Sequence, residues 1–192
     1  MKSKNGFSLI EVLVTLVLVT TGVLGMVAMQ GRSIQYTQES VQRNAAVDLT
    51  NQLIEIMRAN PQLIFDNFPP AQPASSDLLD DSIFYKKKGH AFSPAPVTLA
   101  DGACMAPDTP QKQRDCWLEQ VKSKLPNAAA LINEHLYICR SPEPSSTSAP
   151  NCDDSKGSTL EIQLPWNVKP GGCPDDRAPN ETTCIYRTRI EL

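Results

Sequence analysis

The 192-residue chain is poor in side chains that do chemistry. It holds only two histidines, His90 and His135. No G-x-S-x-G elbow, no H-E-x-x-H pair and no phosphate-cradling glycine loop occurs. The six cysteines form no C-x-x-C pair, and with two histidines they make no zinc spacing. No catalytic group, metal or cofactor is therefore expected. Lys and Arg number 18 against 21 Asp and Glu, for a net charge of −3. That balance lacks the basic footprint of most nucleic-acid binders, so no direct nucleic-acid partner is expected. Aromatic residues are 6% of the chain and prolines number 16, which predicts a loop-rich domain with a limited core.

Proline is also missing from Ser8 to Asn60. Within that stretch, Phe7 to Met29 carries a single charge, Glu11. About 20 apolar residues at about 1.5 Å each span a bilayer core. Thr15, Thr20 and Thr21 can bond their own helical carbonyls, and Gly22 and Gly25 are residues common in membrane helices. A carboxylate in or near hydrocarbon is costly and marks function, which singles out Glu11. Lys2 and Lys4 precede the run, so the positive-inside rule keeps the N-terminal side cytoplasmic and the rest outside. All six cysteines lie in that outer part, as disulfides in an oxidising space would.

After Met29 the pattern turns amphipathic. Ile34, Val41, Ala45, Leu49, Leu53 and Ile56 recur at helical steps, with Gln35, Gln38, Glu39, Gln42, Arg43 and Glu55 between them. One helix of about 50 residues is expected, roughly 75–80 Å long, ended by Pro61. Its apolar stripe needs a cover that the C-terminal part must supply. Thr109 reads as an N-cap with Pro110 at the first helical position. Trp117, Val121 and Leu125 then form a short amphipathic helix ended by Pro126, with a further helical turn over 128–133. Ser82 to Tyr85 reads as a short strand or hairpin arm, and Lys86-Lys87-Lys88 as a solvated tip.

Three period-two segments follow: His135–Arg140, Ser158–Trp166 and Cys184–Leu192. Leu160, Ile162 and Leu164 alternate with Glu161 and Gln163. One apolar and one polar face predict an antiparallel sheet packed on one side, with the helix stripe as the only long apolar partner. Ser141 to Pro150 is low-complexity and cannot build a core; it reads as a loop closed by a disulfide. Six cysteines allow many pairings. Pairing of sequence neighbours is expected: Cys104–Cys116, Cys139–Cys152 and Cys173–Cys184. Asp80-Asp81, Asp153-Asp154 and Asp175-Asp176 read as surface charge rather than calcium ligands.

Gly6, Phe7 and Glu11 at the head of an apolar helix resemble the leader motif of type IV prepilins and pseudopilins. Gly22-Val23-Leu24-Gly25-Met26, Met29-Gln30 and Met57-Arg58-Ala59-Asn60-Pro61 resemble the PilV group of minor pilins. The resemblance implies an α+β, type IV pilin-like fold: one long N-terminal helix on a small antiparallel sheet, with disulfide-rich loops. It divides the chain into a leader (1–6), a transmembrane or pilus-core half-helix (7–29), an amphipathic half-helix (30–60) and a globular domain (61–192). It implies cleavage by a prepilin peptidase between Gly6 and Phe7 and N-methylation of Phe7. Glu11 would pair with the new terminal amine, since an amine and a carboxylate away from water compensate each other. Loss of Lys2 and Lys4 would take the side-chain charge from −3 to −5.

Implied partners are other minor pilins and the major pilin through the helix, the inner membrane before assembly, and a tip adhesin. The Cys173–Cys184 loop falls where pilins carry a disulfide-bound region exposed to partners. The implied function is priming of a type IV pilus and incorporation at its tip, supporting twitching and adhesion. The alternative is a minor pseudopilin of a type II secretion system. A stably anchored periplasmic enzyme or sensor would need convergent polar groups that the sequence does not announce.

Overall fold

A computed structural model describes residues 8–67, 78–144, 149–153, 156–157, 159–173 and 175–192. Among the described residues are the α-helices α1 Leu9–Ala59, α2 Pro110–Lys124 and α3 Ala128–His135 and the strands β1 Tyr137–Ser141, β2 Thr159–Asn167 and β3 Thr183–Ile190. The chain forms two compact units, residues 1–38 and 39–192. The first, as far as it is described, is the leading part of α1. The second holds the rest of α1 and every other element.

In the second unit α1 turns one face to the core through Ala46, Leu49, Thr50, Leu53 and Met57. Thr50 is tolerated there because its hydroxyl donates to the Ala46 carbonyl at 2.8 Å. The covered stripe is shorter than the sequence pattern. Leu49 and Leu53 are buried, Ala45 and Ile56 are partly so, and Val41 stays 62% exposed. The helical period continues past the point where the domain ends its cover.

Asn60 ends the helix. Its backbone N–H bonds the Met57 carbonyl, and its side chain donates to the Ile56 carbonyl at 2.8 Å and to Gln113 Oε1 at 2.9 Å. One amide thus caps α1 and ties it to α2. Pro61 opens a single 3-10 turn, Pro61–Leu63, where its missing N–H costs nothing.

α2 begins as its residues predict. Thr109 Oγ1 accepts from the Lys112 amide at 3.3 Å, and Pro110 follows. Trp117, Leu118 and Val121 face the core, and Trp117 Nε1 donates to the Leu49 carbonyl on α1 at 2.7 Å. The sheet is antiparallel in the order β1-β2-β3. Ile138 pairs with Ile162, and Ile162 with Thr188, so these side chains share a face with Leu160, Leu164 and Trp166. That face belongs to the same core as Leu49, Leu53 and Met57.

The other face overturns the one-sided sheet. Glu161 and Gln163 are buried there with Tyr137 and Ser141. Polar residues tolerate this because each finds a partner. Tyr137 Oη donates to Glu161 Oε1 at 2.6 Å. Arg187 Nε lies 3.5 Å from the same oxygen and donates to Gln163 Oε1 at 3.0 Å. Gln163 Nε2 donates to the His135 carbonyl, and Arg189 Nη2 to the Ser141 carbonyl.

Two further expectations fail. Ser82 to Tyr85 forms a turn rather than a strand, and pairing with β1 is limited to one bridge, Lys86 to Ile138. Lys86 is no solvated tip: it is 2% exposed. Its Nζ donates to the carbonyls of Leu136 (2.8 Å), Asn133 (3.2 Å) and Lys87 (3.3 Å). A cation at the end of α3 satisfies carbonyls that the helix leaves open. Run composition hid this role: of the three lysines Lys87 is exposed, Lys88 half-buried and Lys86 buried.

Candidate functional site

The leading part of α1 is built from apolar side chains with nothing over them. Leu9, Leu13, Leu16, Leu24 and Met29 are all more than half exposed. The helix is long and apolar enough to cross a membrane by length and composition. Its hydroxyls are spent internally. Thr15 donates to the Val12 carbonyl, Thr20 to Val17, and Thr21 to both Val17 and Leu18, at 2.9–3.0 Å. A hydroxyl that bonds its own helix presents no unmet donor to hydrocarbon. The helix starts where the Glu11 and Val12 amides bond the Ser8 carbonyl. Glu11 therefore sits in the first turn, where the helix dipole favours a carboxylate. Gly6 and Phe7, the expected cleavage and methylation positions, lie outside the described residues.

Within residues 39–192 the structure joins Cys104 to Cys116, Cys139 to Cys152 and Cys173 to Cys184. Each bond ties an irregular stretch to a regular element: the first to α2, the second to β1, the third to β3. Two buried arginines do similar work. Arg114 Nε and Nη2 donate to Asp115 Oδ1, Arg114 Nη1 donates to the Ile83 carbonyl, and Asp115 Oδ2 accepts from the Val97 amide. Arg140 Nη1 donates to the Leu78 carbonyl and to Asp80, and Arg140 Nη2 to the Gly157 carbonyl. A side-chain donor held on a rigid element can fix a loop that has no secondary structure of its own.

Of the paired aspartates, Asp80 and Asp175 are engaged by arginines, and Asp154 lies outside the described residues. Asp80 spends a carboxylate oxygen on Arg140. Asp175 takes the Arg177 side chain and amide, and the Arg177 hydrogen bond holds its carboxyl below the usual range. Among the described residues no three His, Cys, Asp or Glu side chains converge as metal ligands. Trp166 is fully buried and belongs to the core, not to a surface contact.

Two family models match, and they abut. The prokaryotic N-terminal methylation motif covers residues 1–27. The model described as type IV pilin Tt1218 covers residues 28–77. The chain is a type IV pilin. Both matched segments run through α1, with the apolar span under the first and the Ala46–Met57 core stripe under the second. Searches of curated proteins and of solved structures gave no match.

The pilin's Met57–Pro61 segment now has a physical reading. Met57 fills the core, Arg58 pairs with Glu55 at 3.2 Å on the surface, and Asn60 caps the helix against α2. Sequence reasoning missed the Tyr137–Glu161–Arg187 cluster and the two arginine staples. Charge alternation on β3 was visible, but nothing in the sequence said that β1 and β3 would close over Glu161.

Proposed function

We propose that this pilin is a minor pilin of the PilV group, which primes assembly of a type IV pilus and enters the fibre at its tip. The observation that carries this reading is continuity. The methylation motif and the pilin segment lie end to end on one helix, Leu9–Ala59, whose leading side chains are exposed and apolar. Such a surface suits either lipid or the helices of other subunits.

In this reading residues 1–6 are a leader, 7–29 the membrane and pilus-core half-helix, 30–60 the amphipathic half and 61–192 the outer domain. A prepilin peptidase cuts between Gly6 and Phe7, and Phe7 is then methylated. Glu11 pairs with the Phe7 amine of its own or a neighbouring subunit. Before assembly the chain is held in the bacterial inner membrane with its domain on the periplasmic side. Afterwards it is extracellular, in contact with other minor pilins, the major pilin and a tip adhesin. Twitching and adhesion follow from the whole pilus.

Intact mass of the membrane-extracted protein tests the first step. The reading expects loss of residues 1–6, gain of one methyl group, and a deficit of about two hydrogens per disulfide that reduction restores. An uncut N-terminus in cells with active prepilin peptidase would overturn it. Deletion of the chain separates the two assemblies: loss of surface pili supports the minor pilin, and loss of exoprotein secretion with pili intact makes it a pseudopilin.

A further inference from the structure

One asparagine of the chain, Asn180, stands two positions ahead of a hydroxyl residue, in Asn180-Glu181-Thr182. None of the other asparagines has serine or threonine at that distance. The triplet is the pattern of an N-glycosylation acceptor, and it carries meaning only on an accessible, irregular stretch. No step of pilus assembly uses it.

The structure supplies that setting. Asn180, Glu181 and Thr182 are all exposed and lie just ahead of β3, outside every helix and strand. The stretch is presented from a fixed base. The Thr182 carbonyl accepts from the Val168 amide at 2.9 Å, and Cys184 is bonded to Cys173. Across the turn itself the Thr183 amide reaches the Asn180 carbonyl only at 3.4 Å. A turn closed by one long, exposed bond opens at small cost when an enzyme takes hold of it.

The side chain is oriented for chemistry at nitrogen. The Thr182 amide donates to Asn180 Oδ1 at 2.9 Å, and the Thr182 hydroxyl donates to the same oxygen at 3.0 Å. A backbone N–H can only donate, so the bonded end of the Asn180 amide is its oxygen. Nδ2 is left at the other end, with no partner among the described residues. An amide nitrogen is a weak nucleophile because its lone pair is spread into the carbonyl. Two donors on Oδ1 stabilise the negative charge that gathers there as Nδ2 gives up a proton. Thr182 therefore acts on the reacting nitrogen through the oxygen beside it.

We propose that Asn180 is an acceptor of N-linked saccharide, transferred from a polyprenyl-diphosphate donor by an oligosaccharyltransferase that reads N-x-S/T. Nδ2 attacks the anomeric carbon of the donor sugar. A C–N bond forms and the C–O bond to the diphosphate breaks, its electron pair leaving with the diphosphate. The Nδ2 proton passes to a carboxylate of the transferase, and nothing is oxidised or reduced. In a cell the reaction requires an exported domain, and in that respect it rests on the outer placement of residues 61–192 proposed above. The saccharide would stand on the Cys173–Cys184 loop as a bulky hydrophilic cover.

The test uses the purified full chain in detergent, folded and with its disulfides intact. It is incubated with a transferase of this type and its lipid-linked saccharide, beside a free peptide of residues 177–183, with the enzyme shown active on a standard acceptor peptide. Peptide mass spectrometry locates the added mass. The proposal expects one saccharide per chain, on residue 180, and none on Asn180→Gln. Thr182→Val removes the hydroxyl at an exposed position and should slow transfer by about tenfold, the loss of one hydrogen bond, while Thr182→Ser keeps most of the rate. A modified peptide beside an unmodified chain would overturn the proposal, because the fold would then hide the acceptor. An unmodified peptide would overturn it too, since the sequence would be no acceptor at all. Transfer to Asn180→Gln, or to Thr182→Val at the wild-type rate, would count against the site and against the role of the hydroxyl in turn. The assay needs no export, so its failure leaves the pilin reading standing, and an uncut N-terminus in cells leaves this site standing.

Discussion

Tyr137 and Glu161, on adjacent strands and both fully buried, share a hydrogen bond of 2.6 Å on the sheet face that the sequence leaves polar. The carboxylate is further held by Arg187 at 3.5 Å, and the Arg187 guanidinium lies 5.7 Å from the Tyr137 ring centre. Burial, then the bond to Glu161, pushes the Tyr137 phenol far above its usual range. This cluster holds β1, β2 and β3 together on the side away from the apolar core.

Tyr137→Phe removes the donor and leaves a buried carboxylate oxygen short of one partner. Urea unfolding of the full chain should show a loss of about 1–3 kcal/mol. Glu161→Gln should cost a similar amount, and the double variant should cost less than the two together, because one shared bond cannot be lost twice.

Lys86→Met keeps the stem packed but uncaps two carbonyls at the end of α3, Asn133 and Leu136, and frees that of Lys87. It should destabilise by about 1–3 kcal/mol, and hydrogen exchange in 128–136 should rise. Wild-type stability should respond to pH through the same residue. Burial lowers the Lys86 amine from 10.5 to about 8. Between those values the unfolded chain binds more protons than the folded one, so this residue's contribution to stability grows as pH rises from about 8. Tyr85 and Tyr137 act oppositely above pH 10, where the unfolded phenols ionise and the folded ones do not. Thermal melts across pH 7–11 should show a rise that Lys86→Met lacks, followed by a fall that it keeps.

Trp117→Phe deletes the bond to the Leu49 carbonyl while leaving most of the ring in place. A loss of about 1 kcal/mol is expected from the bond alone. Trp117→Ala adds a cavity where α1 meets α2 and should cost about 3–5 kcal/mol. Denaturant midpoints of the two variants, compared in the same detergent, check the order.

Replacing Cys104 and Cys116 together by serine opens a loop with a sequence separation of 12. Chain-entropy arguments put its closure at about 3 kcal/mol. The variant should unfold at lower denaturant with the bond Lys86–Ile138 and the sheet intact, read as unchanged strand amide signals.

Regular elements were legible because periodicity and caps are local. The Thr109–Pro110 start, the 3.6-residue stripe through Leu49 and Leu53, and the alternation in β2 all lie within a few residues of what they specify. What lay hidden depends on partners far along the chain. Lys86 looked exposed because its neighbours are lysines, yet its role depends on the Asn133 and Leu136 carbonyls, about 50 positions away. Glu161 looked solvent-facing because polar residues usually are; its burial depends on Tyr137 and Arg187, each 24 positions away or more. The N-terminal methylation motif over residues 1–27 was readable in the same local way.

The three disulfides also decide what a cut would do. Each spans only 11–13 positions, and the segment between Cys139 and Cys152 is rich in serine and proline with no lysine. A protease that severs that segment leaves two fragments still joined through sulfur. A nicked molecule would keep its strands, gain only the mass of the one water consumed, and fall apart only in a reducing environment.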